Sequence, residues 1–334
     1  MLNSQKFFFP DSLNSQPCKL CQNADPDLFA LKYVLPTCEI VSCLSCGFTF
    51  VPAKWRKNIT YTTYKNSKTA QQIRKGNNWV KIQRHKLRLK FIKKYISSGK
   101  LLDVGCGWGH FLLAAQEEGF SVTGVELDEQ AWLYSVQDLN LPVQRKDFFT
   151  FSDKDNFDLI TMWDVLEHID DPVSFLKNAA RLQKDGTYLV LQVPQIDSFV
   201  SRLMKKHWKM LGLDHVNYFS PQTIKILLNQ CGYEMLEHKT SLELKLLLMY
   251  TILPLIHKIR IFLNKIFRKN SNLIISTVDN SERQAFFNQM TQRPMWQLKI
   301  MVFVHNLIYY FLSFFRIGEE MMVIARRRTN QNII

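Results

Sequence analysis

The sequence lacks two features that would place a protein in or across a membrane. Its first ten residues contain neither a long apolar stretch nor a small-residue cleavage site, so they do not form a secretory signal. Two apolar stretches in the C-terminal part fall short of the roughly twenty uninterrupted apolar residues of a membrane span. Pro254 interrupts the first stretch, and Lys299, His305 and Asn306 interrupt the second. We therefore expect a cytoplasmic protein.

Acidic residues are scarce relative to basic ones. The chain has 43 lysines and arginines against 29 aspartates and glutamates, which gives a formal net charge of +14. No acid lies between Lys245 and Lys269, a segment rich in bases. This excess attracts anionic partners such as nucleic acid, phospholipid or phosphorylated substrates, but it does not choose among them.

The chain also lacks the even number of cysteines that a full set of disulfides would need, since it has seven. Four of them form two C-x-x-C pairs, Cys18 with Cys21 and Cys43 with Cys46, a pattern that favours metal over disulfides. Pairs about twenty residues apart suit a structural Zn²⁺ held by four thiolates, and Gly47 permits the sharp turn behind the second pair. The alternatives are a fold kept without metal and cysteines that are merely buried.

We assign residues 1–54 to a zinc ribbon. The run Phe48–Pro52 that follows the second cysteine pair is mainly apolar and does not form the aromatic and basic surface that binds nucleic acid. We therefore expect a structural or substrate-covering module and no nucleic-acid partner. Cys38 lies outside both pairs and is expected in the core. The polar stretch over 55–77 is predicted to be a linker.

A glycine-rich loop is the most informative feature of the chain. An apolar run ends in Asp103, then Gly105, Gly107 and Gly109 alternate, and a helical pattern begins, which predicts a strand, a tight loop and a helix start. A Cβ in such a loop would keep the backbone away from a bound ligand. The next predicted strand ends at Glu126, where nucleotide-binding βαβ units place a carboxylate on ribose hydroxyls. The pattern predicts a nucleotide-cofactor site.

Strands and helices alternate regularly behind a helix predicted over 78–96. Such alternation predicts an α/β fold with a doubly wound, mainly parallel, Rossmann-like sheet that binds ligands at the carboxyl ends of its strands. The last predicted strand arrives only after about eighty further residues. We therefore assign 78–240 and 317–334 to this domain and 241–316 to a helical insertion.

These residues resemble the class I S-adenosylmethionine-dependent methyltransferases of the type-11 and type-23 group. Asp103 and the glycines match the family's first motif, whose backbone and acid hold the methionine part of the cofactor. Glu126 matches the ribose acid, Asp147 and Phe148 match the pair beside adenine, and 163–172 matches the V-L-E-H-x-x-D-P segment. The resemblance implies S-adenosyl-L-methionine as cofactor, bound by Asp103, Gly105, Gly107, Gly109, Glu126, Asp147, Phe148 and Trp163.

The same loop argues against a dinucleotide cofactor. A nicotinamide or flavin loop reads G-x-G-x-x-G, because its pyrophosphate sits on the helix N-terminus. Here Gly105, Gly107 and Gly109 alternate strictly, and the acid Asp103 precedes them. An acid suits a sulfonium cofactor, which is cationic and carries no phosphate.

Two histidines are candidates for a general base, which a hydroxyl acceptor would require. His168 lies just past the fourth predicted strand. His215 lies in a segment resembling the aromatic and histidine insertion at the substrate mouth of the relatives, where Asp214 or Tyr218 would orient the acceptor. Either histidine also has a purely structural interpretation, as a side chain that packs or bonds to backbone.

The ribbon ahead of such a domain resembles family members of sugar and surface-polysaccharide biosynthesis. The resemblance implies a sugar, nucleotide-sugar or glycolipid acceptor. A rival interpretation is a non-catalytic binding protein on the same fold, serving as a membrane or nucleic-acid adaptor.

The insertion over 241–316 carries apolar stretches flanked by bases and aromatics. Such stretches fit helices lying in an anionic membrane interface, on the inner face of the membrane. The alternatives are a helical lid, a homodimer contact and a hairpin span.

Overall fold

The computed structural model describes residues 16–56, 78–152, 156–241, 294–314 and 318–328. Most of the predicted linker and most of the predicted insertion, including the basic stretch between Lys245 and Lys269, lie outside these residues. The strands are β1 (Phe29–Val34), β2 (Glu39–Cys43), β3 (Thr49–Phe50), β4 (Gly99–Val104), β5 (Phe120–Glu126), β6 (Val143–Arg145), β7 (Leu159–Trp163), β8 (Tyr188–Pro194), β9 (Asn217–Tyr218), β10 (Tyr233–Ser241) and β11 (Glu320–Arg327). The α-helices are α1 (Ala53–Arg56), α2 (Asn78–Ile92), α3 (His110–Glu117), α4 (Glu129–Leu133), α5 (Pro172–Arg181), α6 (Phe199–Met204), α7 (Pro221–Gln230) and α8 (Met295–Phe314).

A seven-stranded sheet in the order β10-β11-β8-β7-β4-β5-β6 forms the centre of the molecule. The strands β4 to β8 pair in parallel, whereas β11 runs antiparallel to both of its neighbours. The predicted doubly wound, mainly parallel, Rossmann-like sheet is therefore confirmed. Its parallel strands bring their carboxyl ends to one edge, where the ligands of such sheets bind.

Helices cover both faces of this sheet. Leu102 and Val104 of β4 point to a buried cluster that includes Phe175 of α5 and Leu227 of α7. Leu101 points to the opposite cluster, which contains side chains of α2 and α3. Burial on both faces explains why the central strands are almost continuously apolar in sequence.

The helix α7 illustrates how local chemistry sets the element bounds. The Ser220 hydroxyl accepts a hydrogen bond from the Thr223 amide at 3.2 Å, and the Thr223 hydroxyl accepts one from the Ser220 amide at 2.8 Å. Pro221 occupies the first turn, and Gly232 follows the helix with φ of +79°. This capping box and the glycine set the start and the end of the helix.

The N-terminal ribbon does not fold separately from the rest. Its antiparallel sheet has the order β1-β2-β3-β9, and β9 comes from the segment that follows β8. Phe48 of the ribbon packs on Phe219, with ring centroids 5.5 Å apart. The ribbon therefore shares both a sheet and a core cluster with the α/β domain.

The second predicted helical stretch of the insertion forms α8, which lies against α2 and β10. Leu298 is buried there, whereas Trp296, Ile300, Phe303 and Leu307 are exposed on the outer face. Among the described residues, no helix combines the length and the apolar character needed to cross a membrane.

Candidate active site

The glycine loop after β4 is shaped to admit a ligand. Gly107 has φ of +52°, and no atom lies within 4 Å of the position that a Cβ would take. Gly109 has φ of +70°, and a Cβ there would come within 2.8 Å of the Ser135 hydroxyl oxygen. Both positions therefore favour glycine, the first beside open space and the second for a tight turn.

Glu126 at the end of β5 joins this loop to the next turn. One of its carboxylate oxygens accepts a hydrogen bond from the Gly107 amide at 2.7 Å. The other accepts from the amides of Leu127 and Asp128, each at 2.8 Å. Burial nevertheless raises the pKa of this carboxyl. The predicted ribose acid is thus held rigidly beside the open face of Gly107.

Asp103 lies on β4 just before the loop and is 1% exposed. Its Oδ1 accepts a hydrogen bond from the Thr161 hydroxyl at 2.6 Å, and its Oδ2 has no partner. Burial raises the pKa of Asp103 to about 7. A buried carboxylate that is only half satisfied favours a cation or a further donor beside it.

The turn after β6 carries the residues predicted beside adenine. Asp147 is exposed, and its Oδ1 accepts a hydrogen bond from the Phe149 amide at 2.9 Å. The Phe148 ring is buried against Phe175, with centroids 4.8 Å apart. Phe149 is 47% exposed on the outer side of the turn. Any adenine contact of Phe148 therefore falls to its backbone, while the Phe149 ring is a candidate that sequence reasoning missed.

Leu127 is a second residue that the sequence reasoning missed. It directly follows Glu126 and leaves 61% of its surface exposed, which is unusual for an apolar side chain at the end of a buried strand. The signals in the sequence were the apolar residue directly after Glu126 and the second phenylalanine after Asp147. Leu127 and Phe149 therefore provide apolar surface at neighbouring strand ends.

Trp163 ends β7 on the α2 side of the sheet. Its ring lies 4.4 Å from the Arg88 guanidinium carbon and 4.8 Å from the Phe111 ring. The indole Nε1 is buried without a hydrogen-bond partner. Asp164 follows with φ of +58°, a conformation that non-glycine residues seldom adopt. This strained turn leads directly into the segment that carries His168.

The N-terminal end of α2 closes over the glycine loop, a contact that its sequence did not predict. The His110 Nε2 lies 3.1 Å from the Asn78 side-chain oxygen and 3.4 Å from Lys81 Nζ. The Asn78 amide also donates to the Tyr134 hydroxyl at 2.9 Å. Burial and the nearby Lys81 lower the pKa of His110 to about 3, so this imidazole is neutral.

The two candidate bases meet in space although 47 residues separate them in the chain. The His168 and His215 rings lie 4.8 Å apart at an interplanar angle of 68°. His168 Nδ1 is 2.6 Å from the Asp214 carbonyl, and His215 Nδ1 is 2.8 Å from the Met210 carbonyl. Because carbonyls only accept, the Nδ1 atom of each ring carries a hydrogen.

The electrostatic surroundings keep His215 neutral. Burial, and after it the neighbouring His168, lower the pKa of His215 to about 4. The exposed Asp214 carboxylate lies 3.9 Å from His215 Nε2. Tyr218 is not free to orient an acceptor, because its buried hydroxyl accepts from the Gly212 amide and donates to the Gly212 carbonyl. Asp214 therefore remains the candidate for that role.

Glu167 lies beside this pair and is 1% exposed. Neither of its carboxylate oxygens has a hydrogen-bond partner, and burial, followed by Asp164, raises its pKa well above the usual range. One donor atom from each of Glu167, His168 and His215 lies within 4.8 Å of the others. Two imidazoles and a carboxylate at this spacing could also hold a divalent cation.

The four predicted zinc ligands converge in the ribbon. The Cys18 and Cys46 sulfurs lie 3.6 Å apart, as do those of Cys21 and Cys43, and all four lie within 4.8 Å of one another. Tetrahedral Zn–S bonds place sulfurs about 3.8 Å apart, so the residues fit the metal. The Gly47 amide donates to the Cys43 carbonyl at 2.8 Å with φ of +80°, as the predicted turn requires.

Cys38 behaves as predicted from its position outside the cysteine pairs. It is fully buried in a separate cluster with Ile40, Trp208 and Tyr218. Its neighbours are apolar or aromatic, and it makes no contact with the four-thiol cluster among those described.

Comparison with curated proteins links the domain to known methyltransferases. The chain is 35% identical over 147 residues to the ubiquinone biosynthesis O-methyltransferase of Coxiella burnetii, a match that covers 41% of this chain and 59% of that protein. It is 36% identical over 110 residues to the enzyme of the same name from Idiomarina loihiensis, covering 30% and 45%. The chain thus spans about three fifths or less of the length of these relatives.

Solved structures with a related fold include one archaeal and one bacterial methyltransferase. A SAM-dependent methyltransferase from Archaeoglobus fulgidus matches 78% of this chain and all of its own at 18% identity and a TM-score of 0.46. A possible histamine N-methyltransferase from Thermotoga maritima matches 55% of this chain and 86% of its own at 22% identity and a TM-score of 0.43. A family model described as a methyltransferase domain matches residues 79–238. Residues 79–238, a little under half of the chain, are therefore similar to the methyltransferase-domain family.

Proposed function

We propose that this protein transfers a methyl group from S-adenosyl-L-methionine to a hydroxyl group of a small-molecule acceptor. The observation that carries the proposal is the pair of adjacent imidazoles, His168 and His215, in the segments that follow β7 and β8, on a sheet that also carries the glycine loop. The relatives named as O-methyltransferases support an oxygen acceptor. A general base is needed for a hydroxyl acceptor, whose proton must leave as the methyl arrives.

The cofactor supplies an electrophilic methyl group on a sulfonium centre. Asp103, with its unpartnered Oδ2, would hold the cationic methionine part, and Glu126 would hold the ribose hydroxyls. Asp147 and the Phe148 backbone would border the adenine, and Trp163 would line the cofactor side of β7. Most of the rate acceleration would come from orienting the acceptor in line with the methyl group.

His215 would remove the proton from the acceptor hydroxyl at its Nε2 atom. The Met210 carbonyl fixes the ring orientation through Nδ1, and Asp214 would stabilise the imidazolium as it forms. His168 would share the role, since its own Nδ1 is fixed by the Asp214 carbonyl. His215 does not need to lose a proton first, because the ring is neutral and its hydrogen is held on Nδ1, which leaves Nε2 to accept.

We propose a sugar, nucleotide-sugar or lipid-linked intermediate as the acceptor. The pairing of ribbon strand β3 with β9, two residues after His215, supports a substrate-covering role for the ribbon. The name of the curated relatives adds quinone-related phenols to the compounds that should be screened. A screen for tritiated methyl transfer to these classes, with the product identified by mass spectrometry, decides among them.

Isothermal titration with S-adenosylhomocysteine tests the cofactor assignment through its pH dependence. Asp103 has its pKa raised to about 7 when the site is empty, so it is protonated in much of the free protein below that pH. The α-ammonium group of the homocysteine part favours the ionised form, so we expect affinity to rise from pH 6 toward pH 8, with net proton release that approaches one per site below pH 7.

The same titration in two buffers of different ionisation enthalpy measures the released proton directly. Asp103→Asn should bind more weakly and lose both the pH dependence and the proton release. An affinity that is flat from pH 6 to pH 8 in the wild type would exclude Asp103 as the group that meets the ligand cation. The absence of any binding by folded wild-type protein would remove the proposed function itself.

The exposed face of α8 supports a peripheral contact with an anionic membrane. Phe303 and Leu307 on this face are 69% and 63% exposed. Basic groups border the helix, since Lys90 Nζ lies 5.2 Å from the Tyr310 ring and Lys239 Nζ lies 4.9 Å from the Tyr309 ring. Apolar side chains flanked by lysines suit the boundary between acyl chains and anionic headgroups.

Flotation with vesicles of phosphatidylglycerol tests this contact. We expect wild-type protein to float at low salt and to be released at high salt, because charge screening weakens the lysine attraction. Phe303→Asp with Leu307→Asp should remain at the bottom, whereas Val34→Asp, an equally exposed apolar position in β1, should still float. Wild-type protein that stays at the bottom contradicts the contact, and a doubled mass in sedimentation would indicate a homodimer through this face.

A further inference from the structure

The ribbon contributes the sheet that holds the segment of His215. Phe50 and Thr49 of β3 pair with Asn217 and Tyr218 of β9 in antiparallel register. One residue further along, the Val51 amide donates to the Val216 carbonyl at 3.0 Å. His215 directly precedes Val216, so the backbone next to the candidate base is hydrogen-bonded to the ribbon.

The same short strand also holds the turn that carries His168. The Val216 amide donates to the Glu167 carbonyl at 2.8 Å. The buried Asn217 side-chain amide donates to the Ile169 carbonyl at 2.6 Å and to the Leu166 carbonyl at 3.4 Å. β9 therefore helps to position both candidate histidines. His215 lies in the segment that leads into β9, and His168 lies in the turn that the Val216 and Asn217 hydrogen bonds hold.

β9 pairs with β3 at the edge of the ribbon sheet. Each of the two strands is only two residues long, far below the length of a strand pair that is stable in water by itself. The position of β3 follows in turn from the cysteine turn, because the Cys43 amide donates to the Phe48 carbonyl and the Gly47 amide donates to the Cys43 carbonyl, both at 2.8 Å. A metal on the four sulfurs would fix this turn.

Charged and polar contacts hold the first cysteine turn to the same region. Arg56 lies 2.7 Å from the Asp170 carboxylate, and Lys19 donates to the Asp170 carbonyl, two residues beyond His168. The Gln230 side chain donates to the Leu20 carbonyl at 2.8 Å. In contrast, Asp103 and Glu126 are positioned by contacts with Thr161, Gly107, Leu127 and Asp128 of the sheet and its loops.

We infer that the metal-bound ribbon is a positioning module for His168 and His215, and that loss of the metal disorders the acceptor side of the site while leaving the cofactor side intact. The inference rests on the proposed function for the roles of the two histidines. It assigns the residues of β3, together with Asn217, as positioning residues that act through the histidines rather than on the acceptor. The four cysteines would then matter to catalysis without contacting either substrate.

Hydrogen exchange on the full-length Cys43→Ser variant tests the inference, with metal content measured on the same sample. We expect zinc to fall from about one per chain to near zero, and exchange over 165–171 and 211–219 to become at least about tenfold faster. Exchange over 99–126, which spans the cofactor loop, should not change. Affinity for S-adenosylhomocysteine should stay within about twofold of wild type.

A spectroscopic signal separates positioning from general loss of structure. In the wild type, burial lowers the pKa of His215 to about 4, and in Cys43→Ser the imidazole Hε1 signal of His215 in NMR should titrate close to the ordinary value of about 6.5. Cys38→Ala changes a buried ribbon cysteine outside the cluster and should keep the zinc and the His215 titration.

Asn217→Ala provides a second variant that leaves the cysteines in place. It should keep zinc and S-adenosylhomocysteine binding, and it should speed exchange over 165–171. Cys43→Ser that loses zinc but keeps wild-type exchange over 211–219 and an unchanged His215 titration would overturn the inference. So would a zinc-free variant that no longer binds S-adenosylhomocysteine, because the ribbon would then support the whole domain. Failure of the wild type to bind that ligand would instead refute the proposed function.

Discussion

Replacing His215 with alanine will lower the rate of methyl transfer to a hydroxyl acceptor by about 10² to 10⁴, the usual contribution of a positioned general base. The alanine removes the Nε2 lone pair that would take the hydroxyl proton. Binding of S-adenosylhomocysteine should be unchanged within about twofold, since His215 contacts β9 and the 210–214 segment rather than the glycine loop. The measurement is transfer of tritiated methyl to the acceptor found by screening.

The pH profile of the wild-type rate gives an independent check. Because burial and His168 lower the pKa of His215 to about 4, the ring is a free base above that pH. The activity that depends on His215 should therefore be lost only as pH falls below about 4 to 5, and should not show the transition near 6.5 of an ordinary histidine. His215→Ala should remove this dependence.

His207→Ala is the matched control, because His207 is exposed at the end of α6 and lies outside the paired histidines. It should retain the wild-type rate. If His215→Ala and His207→Ala have equal rates, then His215 is not the base, and His168→Ala becomes the variant to examine. A large loss in both His168→Ala and His215→Ala with no further loss in the double variant would show that the two rings act as a unit.

Replacing Glu126 with alanine will weaken binding of S-adenosylhomocysteine by about 100-fold, which corresponds to the loss of one or two charge-assisted hydrogen bonds. The carboxylate is held by the amides of Gly107, Leu127 and Asp128 at 2.7 to 2.8 Å. It therefore meets the ligand ribose without first losing side-chain freedom, which increases the cost of removing it. Isothermal titration measures the change.

Glu129→Ala separates the specific role of Glu126 from a general effect of acidic charge. Glu129 lies three residues away and pairs with Arg145 at 3.0 Å on the surface, where such a pair contributes little stability. Its removal should leave the affinity within about twofold of wild type. Equal affinities for wild type and Glu126→Ala would contradict the placement of the nucleoside at this strand end.

The sheet and the glycine loop could be predicted because short-range sequence patterns determine both. Alternating apolar segments define the strands, and Asp103 through Gly109 combines a strand end, positive-φ glycines and a helix start within a few residues. Each of these signals acts over short range. The capping box at Ser220 is a signal of the same local kind, since a cap depends only on the next three residues.

Contacts between residues that are far apart in the chain could not be predicted from the sequence. The pairing of Thr49 with Tyr218 joins two-residue strands that are far apart in the chain, and neither strand has a pattern long enough to recognise. The contact of His168 with His215 likewise joins residues that are far apart in the chain, and it lies beside the unpartnered carboxylate of Glu167. The sequence also did not predict which phenylalanine ring is exposed: the Phe148 ring packs into the core, whereas Phe149 is exposed.

The position of β11 in the sheet has a consequence for the order in which the strands can pair during synthesis. β11 lies inside the sheet, between β8 and β10, and its residues 320–325 are all buried. During synthesis, β8 and β10 are therefore complete long before their shared neighbour leaves the ribosome, and each exposes an unpaired backbone edge in the meantime. Exposed edges of this kind recruit other strands. A nascent chain stalled before residue 320 should accordingly depend on chaperones, and closure of the sheet should be among the last folding events.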